Sequence, residues 1–353
     1  MSSTRLSPRA CEVCGEKEYL FKFFRCPGCQ VVYYCGRDHQ VNHQMFHKEA
    51  CGEIKKARAL LEKEENVVRD NPGNVLSPGN LFETGVGHFW GLGIPRDYMR
   101  ARYQLANKLL SSFGGSGGHI DAVQTALDHL LDMLRLSRSD EMRVRLTIPA
   151  LLIRLNKDQE AYDFVKWYAT TGDLKHCDWD DLDLPYLNTK DADVLESPAG
   201  KWTNPQWIEL SHVVAVMLIK VRTLIDLQAA LDTASRTFQA PVPDEIIGLI
   251  REKLVGSIVQ SRPEILKGGT EGIARRVETI KGQIRDLYEA VGEYNPHFWR
   301  LMLEFPVEAL AMKISNYAPG SEEEACLCIG ESLASWLETP GSFDVMRSVR
   351  QMA

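Results

Sequence analysis

The segment Cys11–Cys51 reads CEVCGEKEYLFKFFRCPGCQVVYYCGRDHQVNHQMFHKEAC, and it holds six of the nine cysteines of this 353-residue chain. Its cysteines and histidines form four closely spaced pairs: Cys11 with Cys14, Cys26 with Cys29, Cys35 with His39, and His47 with Cys51. Two or three residues between ligands let a chain turn around a tetrahedral ion, with Zn–S distances of about 2.3 Å. The segment therefore predicts eight ligands for two structural zinc ions.

Other interpretations of these cysteines and histidines fit the spacing less well. An odd number of cysteines and the lack of an apolar leader at the N-terminus disfavour a disulfide framework. Buried cysteines with surface histidines would have to produce four metal-ligand spacings by chance. A catalytic zinc keeps an open coordination position, whereas eight ligands fill two closed sites. A segment this short has too small a core to fold alone, so metal binding would supply its folding free energy.

The full spacing, C-x2-C-x11-C-x2-C-x5-C-x3-H-x7-H-x3-C, resembles the MYND-type zinc finger. The resemblance includes Tyr34 before the fifth ligand, Gln40 after the sixth, and Lys48 after His47. In that family the ligands interleave in a cross-brace. The resemblance therefore implies two sites: Cys11, Cys14, Cys35 and His39 in one, and Cys26, Cys29, His47 and Cys51 in the other.

Two positions depart from the family pattern. His39 stands where the family usually has cysteine, and His43 is a competing histidine four residues later. Histidine also binds zinc, so we expect His39 to be the ligand. Gln44 stands where the family usually has a tryptophan, beside the groove in which members bind proline-containing peptides. The resemblance therefore implies zinc binding more strongly than peptide binding.

After Gly52 the apolar residues recur with a period of about 3.6, which predicts helices. Glu53–Asp70, Ile120–Leu136 and Pro205–Thr237 are three such segments, and Ser321 begins a capping box for a later one. Cys326 and Cys328 lie in that later helix as expected core residues. The predicted fold is mainly α, with a small cross-brace double-zinc finger followed by an irregular, solenoid-like helical domain.

The predicted domains are a finger at 11–51, a connecting helix at 52–72 and a helical body at 73–353. An acidic loop is expected at about 171–204, with Cys177 as an incidental cysteine. Two stretches of the body resemble tetratricopeptide-like helix pairs. The whole arrangement resembles fungal MYND-finger proteins with a helical, tetratricopeptide-like C-terminal body.

Composition and charge narrow the class of protein. Hydrophobic residues make up 44% of the chain and charged residues 25%, which is typical of globular proteins. The apolar run Val213–Ile219 is too short to cross a membrane. The net charge of −7 disfavours a protein that mainly binds nucleic-acid phosphates. We expect a soluble intracellular protein, and the sequence does not distinguish nucleus from cytoplasm or define an oligomeric state.

Most motifs of common enzymes are missing from the sequence. It has no Gly-x4-Gly-Lys-Ser/Thr or His-Glu-x2-His motif, and no Asn-His-Ser-Cys signature of SET-domain methyltransferases. Gly114–Gly118 (GGSGG) fits Gly-x-Ser-x-Gly by its letters, but we expect this glycine run to be a flexible loop between helices. We therefore expect a non-enzymatic adaptor with protein partners, including proline-containing peptides as the resemblance implies. The alternative is a transcription-associated factor that contacts nucleic acid directly through basic residues of the finger: Lys17, Lys22, Arg25, Arg37 and Lys48.

Overall fold

The computed structural model describes residues 5–17, 23–73, 79–172, 179, 181–237, 254–262, 264–265 and 269–352, with only the backbone at 234–237. The chain divides into two compact units. The N-terminal unit comprises Thr4–Leu151 and Asp178–Leu184, and the C-terminal unit comprises Leu152–Cys177 and Pro185–Ala353. Helices dominate both units, so the prediction of a mainly α fold with a zinc finger at its N-terminus is confirmed.

The N-terminal unit joins a small hairpin to a group of helices. Strands β1 (Phe24–Arg25) and β2 (Tyr33–Tyr34) pair antiparallel, with Phe24 opposite Tyr34 and Arg25 opposite Tyr33. The helices follow in chain order: α1 (Arg37–Arg69), α2 (Leu81–Thr84), α3 (Arg96–Phe113), α4 (Ile120–Leu136), a 3-10 turn (Val144–Leu146) and α5 (Ile148–Arg154). The unit boundary falls within α5.

Helix α1 is 33 residues long and begins inside the cysteine-rich segment. It starts at Arg37, whereas apolar periodicity predicted a start at Glu53. One face of α1 packs along α3 and buries His47, Ile54, Ala57 and Val68, whose spacing keeps them on one side. The predicted boundary at residue 52 therefore falls inside a continuous helix. The division into 11–51, 52–72 and 73–353 stays a prediction, and the compact units group the finger with the helices up to Leu151.

The C-terminal unit is built around one buried helix. Its elements in chain order are α6 (Asp158–Ala169), α7 (Gly200–Thr203), a 3-10 turn (Pro205–Trp207), α8 (Leu210–Thr237), α9 (Ser257–Ser261), α10 (Gly269–Tyr294), α11 (Phe298–Glu304), α12 (Pro306–Ala311), α13 (Glu322–Leu337) and α14 (Ser342–Met352). Helices α8 and α10 pack along each other, which agrees with the expectation of a central element after Pro205. The helix itself begins at Leu210, after the 3-10 turn.

Polar side chains within the C-terminal unit tie its segments to α8. The Lys220 ammonium is fully buried and donates to the carbonyls of Val194 and Glu196 and to Gln283 Oε1, at 2.9, 3.0 and 2.7 Å. Burial lowers the pKa of Lys220 to about 8. These bonds hold part of the predicted acidic loop against the unit, while residues 173–178 and 180 of that loop lie outside the described residues.

Helix α13 has the cap and the buried cysteines that the sequence predicts. Ser321 caps α13 through its side chain, which accepts a hydrogen bond from the Glu324 N–H at 3.2 Å. Cys326 and Cys328 are both buried in the same helix, and neither belongs to a metal-ligand cluster among the described residues. Cys177 lies outside the described residues. Within the part of the chain that the structure describes, no helix is long and apolar enough to span a bilayer.

Candidate metal centre

Tight turns present the cysteine pairs of the finger. In the first, the Gly15 N–H donates to the Cys11 carbonyl at 2.8 Å. In the second, the Gln30 N–H donates to the Cys26 carbonyl at 2.9 Å, and this turn connects strands β1 and β2 of the hairpin. A Cβ atom on Gly28 would lie 2.7 Å from Cys51 Sγ, so only glycine fits beside this cluster. Each turn thus directs the sulfurs of its own two cysteines toward one site.

The first cluster, here called site 1, consists of Cys11, Cys14, Cys35 and His39. His39 Nδ1 lies 3.4 Å from Cys11 Sγ and 3.1 Å from Cys35 Sγ, and the sulfurs of Cys14 and Cys35 are 3.7 Å apart. Cys11 is buried, Cys35 and His39 are half-buried, and Cys14 is exposed. Site 1 joins the N-terminal segment to the start of α1.

The second cluster, here called site 2, consists of Cys26, Cys29, His47 and Cys51. His47 Nε2 lies 3.2 Å from Cys26 Sγ and 3.6 Å from Cys29 Sγ, and the sulfurs of Cys26 and Cys51 are 3.6 Å apart. Cys26, Cys29 and His47 are all buried, with Cys29 fully inaccessible. Site 2 joins the hairpin turn to the middle of α1.

Both donor sets fit a zinc ion. A tetrahedron with Zn–S distances of about 2.3 Å has sulfur–sulfur edges of about 3.8 Å. The sulfur–sulfur separations of 3.7 and 3.6 Å agree with that value, and within each cluster all four donor atoms lie within 4.8 Å of one another. Three thiolates and one imidazole form a closed donor set of the structural type. The two clusters thus fit two zinc ions, which confirms the cofactor prediction.

The thiol pKa values show why a cation is needed. Burial opposes ionisation of Cys11, but backbone hydrogen bonds from Cys14, Cys35 and Val13 lower its pKa to about 6. In the same site, burial and hydrogen bonds with Cys11 and Cys14 raise the pKa of Cys35 to about 11. In site 2, burial and a hydrogen bond with Cys26 raise the pKa of Cys51 to about 12. Burial and the neighbouring thiols thus oppose ionisation of Cys35 and Cys51, and a bound dication favours their thiolate forms.

His43 belongs to neither cluster. Its Nδ1 lies 3.0 Å from the Tyr34 hydroxyl, and its ring stacks on that of His47 at 5.7 Å between centroids. His43 therefore packs against the site 2 ligand His47. Of the two histidines that the sequence offers for site 1, His39 is the one in the cluster. Gln44, at the usual tryptophan position, is exposed to solvent.

The structure describes four of the five basic residues of the finger, and all four are exposed. Arg25 lies over the Tyr33 ring at 5.8 Å, and Arg37 donates to Gln40 at 2.6 Å. Lys17 and Lys48 are exposed, and Lys22 lies outside the described residues.

Contacts from the helices surround the finger within the N-terminal unit. The Arg58 guanidinium on α1 donates to the Cys29 carbonyl at 3.2 Å, and the Phe113 ring lies 5.6 Å from that of His47. The segment before Cys11 is held by Arg9, which forms a bidentate ion pair with Asp121 on α4. Next to Cys11, Glu12 lies 3.3 Å from His119 Nε2. No spacing in the sequence points to these supporting residues, since about 60 to 110 positions separate most of them from the residues they contact at or beside the finger.

The geometry defines a cross-brace zinc finger, in which two metal sites share one helix and one hairpin. Residues 11–51 match the family model of the MYND finger. This arrangement of ligands is of the MYND type, and the MYND finger is a protein-interaction module. No curated protein and no solved structure matches the chain. The resemblance of the whole chain to fungal MYND-finger proteins therefore stays a prediction.

Proposed function

We propose that this chain is a non-enzymatic adaptor whose finger docks proline-containing segments of protein partners in a regulatory or transcription-associated complex. The closed donor sets support a structural role for the metal, because eight protein ligands leave no open coordination position of the kind that catalytic zinc keeps. The role of the finger is then to bind a partner and not to catalyse a reaction.

The observation that carries the proposal is an exposed apolar patch on the finger part of α1. Val41 and Met45 are 52% and 79% exposed and lie one helical turn apart, and the adjacent Phe46 is 85% exposed. Exposed apolar side chains that lie together mark interaction sites in soluble proteins. Gln44 lies in the same turn of the helix, so a partner segment would meet apolar and amide groups there.

A titration of the full zinc-loaded chain tests this proposal. The probe is a fluorescent peptide of the P-x-L-x-P kind, and the variant is Met45→Glu combined with Phe46→Glu, which leaves all eight ligands in place. We expect saturable binding to the wild type and at least about tenfold weaker binding to the variant, or about 1.4 kcal/mol. Val67→Glu is the matched control, because Val67 is 51% exposed on the same helix, far from the finger.

Two results would contradict the proposal. One is the absence of saturable binding to the wild type at millimolar peptide. The other is equal binding to the wild type and the double variant while both hold two zinc ions. Affinity capture with mass spectrometry on the same three proteins would then name the partners, since those lost only from the double variant depend on the patch.

A further inference from the structure

Site 1 is open to solvent on the side where Cys14 and Cys35 lie. Cys14 is exposed and Cys35 is half-buried, and their sulfurs are 3.7 Å apart. Apart from its chain neighbours, a Cβ atom added to Gly15 or to Gly36 would meet no described atom within 4 Å. Each of these glycines follows one of the two cysteines in sequence, so there is room for a small molecule beside both turns.

Site 2 is less accessible, since three of its four ligands are buried and Cys51 is half-buried. The Cys29 side chain is fully inaccessible, Cys26 is buried, and a Cβ on Gly28 would strike Cys51 Sγ at 2.7 Å. The Phe113 ring and the Arg58 guanidinium lie against His47 and the Cys29 carbonyl. A small oxidant in water therefore meets the sulfurs of site 1 before those of site 2.

We propose that Cys14 and Cys35 form an oxidation-sensitive pair, and that hydroperoxides release the metal of site 1 while site 2 keeps its own. The exposed thiolate of Cys14 is the first sulfur a peroxide reaches, and Cys35 is its neighbour in the same site. Cys11 is 2% exposed, which places it behind the other two.

The chemistry balances with one peroxide molecule. The Cys14 thiolate attacks one oxygen of hydrogen peroxide, the O–O bond breaks, and a sulfenic acid and hydroxide form. The Cys35 thiolate then attacks the sulfenic sulfur, a disulfide forms, and a second hydroxide leaves. Two sulfurs lose two electrons in total, the peroxide gains them, and two protons from solvent convert the hydroxides to water. Site 1 keeps only Cys11 and His39 as donors, which do not hold the ion.

The rest of the finger stays assembled after this step. Site 2 remains closed, and α1 still packs along α3. Arg9 still binds Asp121, so the N-terminal segment stays attached to α4 after it loses its metal. A thiol reductant would regenerate the two thiolates, and zinc could bind again. Site 1 thus acts as a reversible redox site on an intact helical unit.

The test exposes the full zinc-loaded chain to sub-millimolar hydrogen peroxide and follows zinc release with a chromogenic chelator. Differential alkylation with mass spectrometry identifies the oxidised cysteines. We expect one zinc per chain in a first phase, a Cys14–Cys35 disulfide, and at least tenfold slower release of the second zinc. Added reductant and zinc should restore the original content of two ions.

A variant pair isolates the role of Cys14. Cys14→His keeps four donors in site 1 but cannot form the disulfide, so its first phase should be at least tenfold slower than that of the wild type. Cys326→Ser is the control, because Cys326 is a buried cysteine outside both clusters, and it should leave the first phase unchanged. Simultaneous release of both ions, first oxidation at Cys26 or Cys29, or an unchanged first phase in Cys14→His would overturn the proposal. The wild-type mass map decides the question even where a variant binds zinc poorly.

Discussion

Sites 1 and 2 have the same donors, three cysteines and one histidine each, but the surrounding protein holds them differently. Site 2 joins the hairpin turn to α1, with three buried ligands and with Phe113 and Arg58 of the helices in contact with it. Site 1 has an exposed cysteine, and the segment that carries Cys11 and Cys14 is anchored by the ion pair of Arg9 with Asp121 and by the contact of Glu12 with His119. The donor atoms therefore determine that both sites bind zinc. The burial of each site determines how much its metal contributes to the stability of the N-terminal unit.

The largest effect should come from removing one ligand of each site. Cys29→Ser should abolish zinc binding at site 2 and unfold the N-terminal unit, because structural zinc contributes about 10–16 kcal/mol, as much as or more than a whole domain's stability. Cys14→Ser should leave one zinc bound and the helices intact. Zinc content and far-ultraviolet circular dichroism measure both. Equal loss of helical signal in the two variants would remove the distinction between the sites.

A second comparison uses the glycine beside each site. Gly28→Ala places a methyl group 2.7 Å from Cys51 Sγ, so site 2 should bind zinc about 10–100-fold more weakly. Gly36→Ala, beside Cys35, adds a methyl group that meets no described atom within 4 Å other than those of its chain neighbours, and it should leave site 1 unchanged. Competition with a chelator of known affinity measures both constants. A similar loss in the two variants would mean that crowding at Gly28 is irrelevant.

The packing of Phe113 on His47 gives a smaller effect. Phe113 is half-buried, so Phe113→Ala should lower the free energy of unfolding of the N-terminal unit by about 2 kcal/mol, below the range for a fully buried phenylalanine. Phe24→Ala is the control, since Phe24 is exposed and its loss should cost less than about 0.5 kcal/mol. Urea denaturation at saturating zinc measures both. If the Phe113 variant matched the control, the helices would not support site 2.

The ion pair of Arg9 with Asp121 should give the smallest effect. Arg9 is more than half exposed, so Arg9→Gln should cost about 1 kcal/mol or less. Burial opposes ionisation of Asp121, but the hydrogen bonds with Arg9 and Tyr33 lower its pKa. The contribution of Asp121 is therefore complete above its unfolded pKa of about 3.9 and disappears as the pH falls through the folded value.

Denaturation of the wild type and Arg9→Gln at saturating zinc and at several pH values between 7 and 5 checks this account. The difference between the two proteins should stay constant over this range, because Asp121 is ionised there in both the folded and the unfolded state. A difference that grows on acidification would show that Asp121 is not the partner that matters.

The eight ligands could be predicted from the sequence because metal-binding turns are local, and their spacing is visible within four residues. Their assignment to two sites came from the family resemblance, since spacing alone does not pair distant turns. The start of α1 was missed because His39, His47 and Cys51 occupy positions where a helix normally has apolar residues. Metal ligation takes the place of hydrophobic packing there, and a search for apolar periodicity does not detect it.

The helices of the body were easier to predict than the surroundings of the finger. Ile120–Leu136 was predicted and observed with the same limits, because its apolar residues are strictly periodic. By contrast, Phe113 and Asp121 contact the finger from more than 60 residues away. Such pairs depend on the tertiary fold, and no local pattern marks them.

The most direct test of the account removes zinc stepwise from the full chain with a chelator and follows it by native mass spectrometry. Hydrogen exchange of α1 and α3 is recorded at each step. We predict a one-zinc species in which both helices stay protected, followed by a zinc-free species in which protection is lost. Loss of both ions in a single step, or loss of helix protection with the first ion, would contradict the claim that the folding of α1 and α3 depends on the metal of site 2 and not on that of site 1.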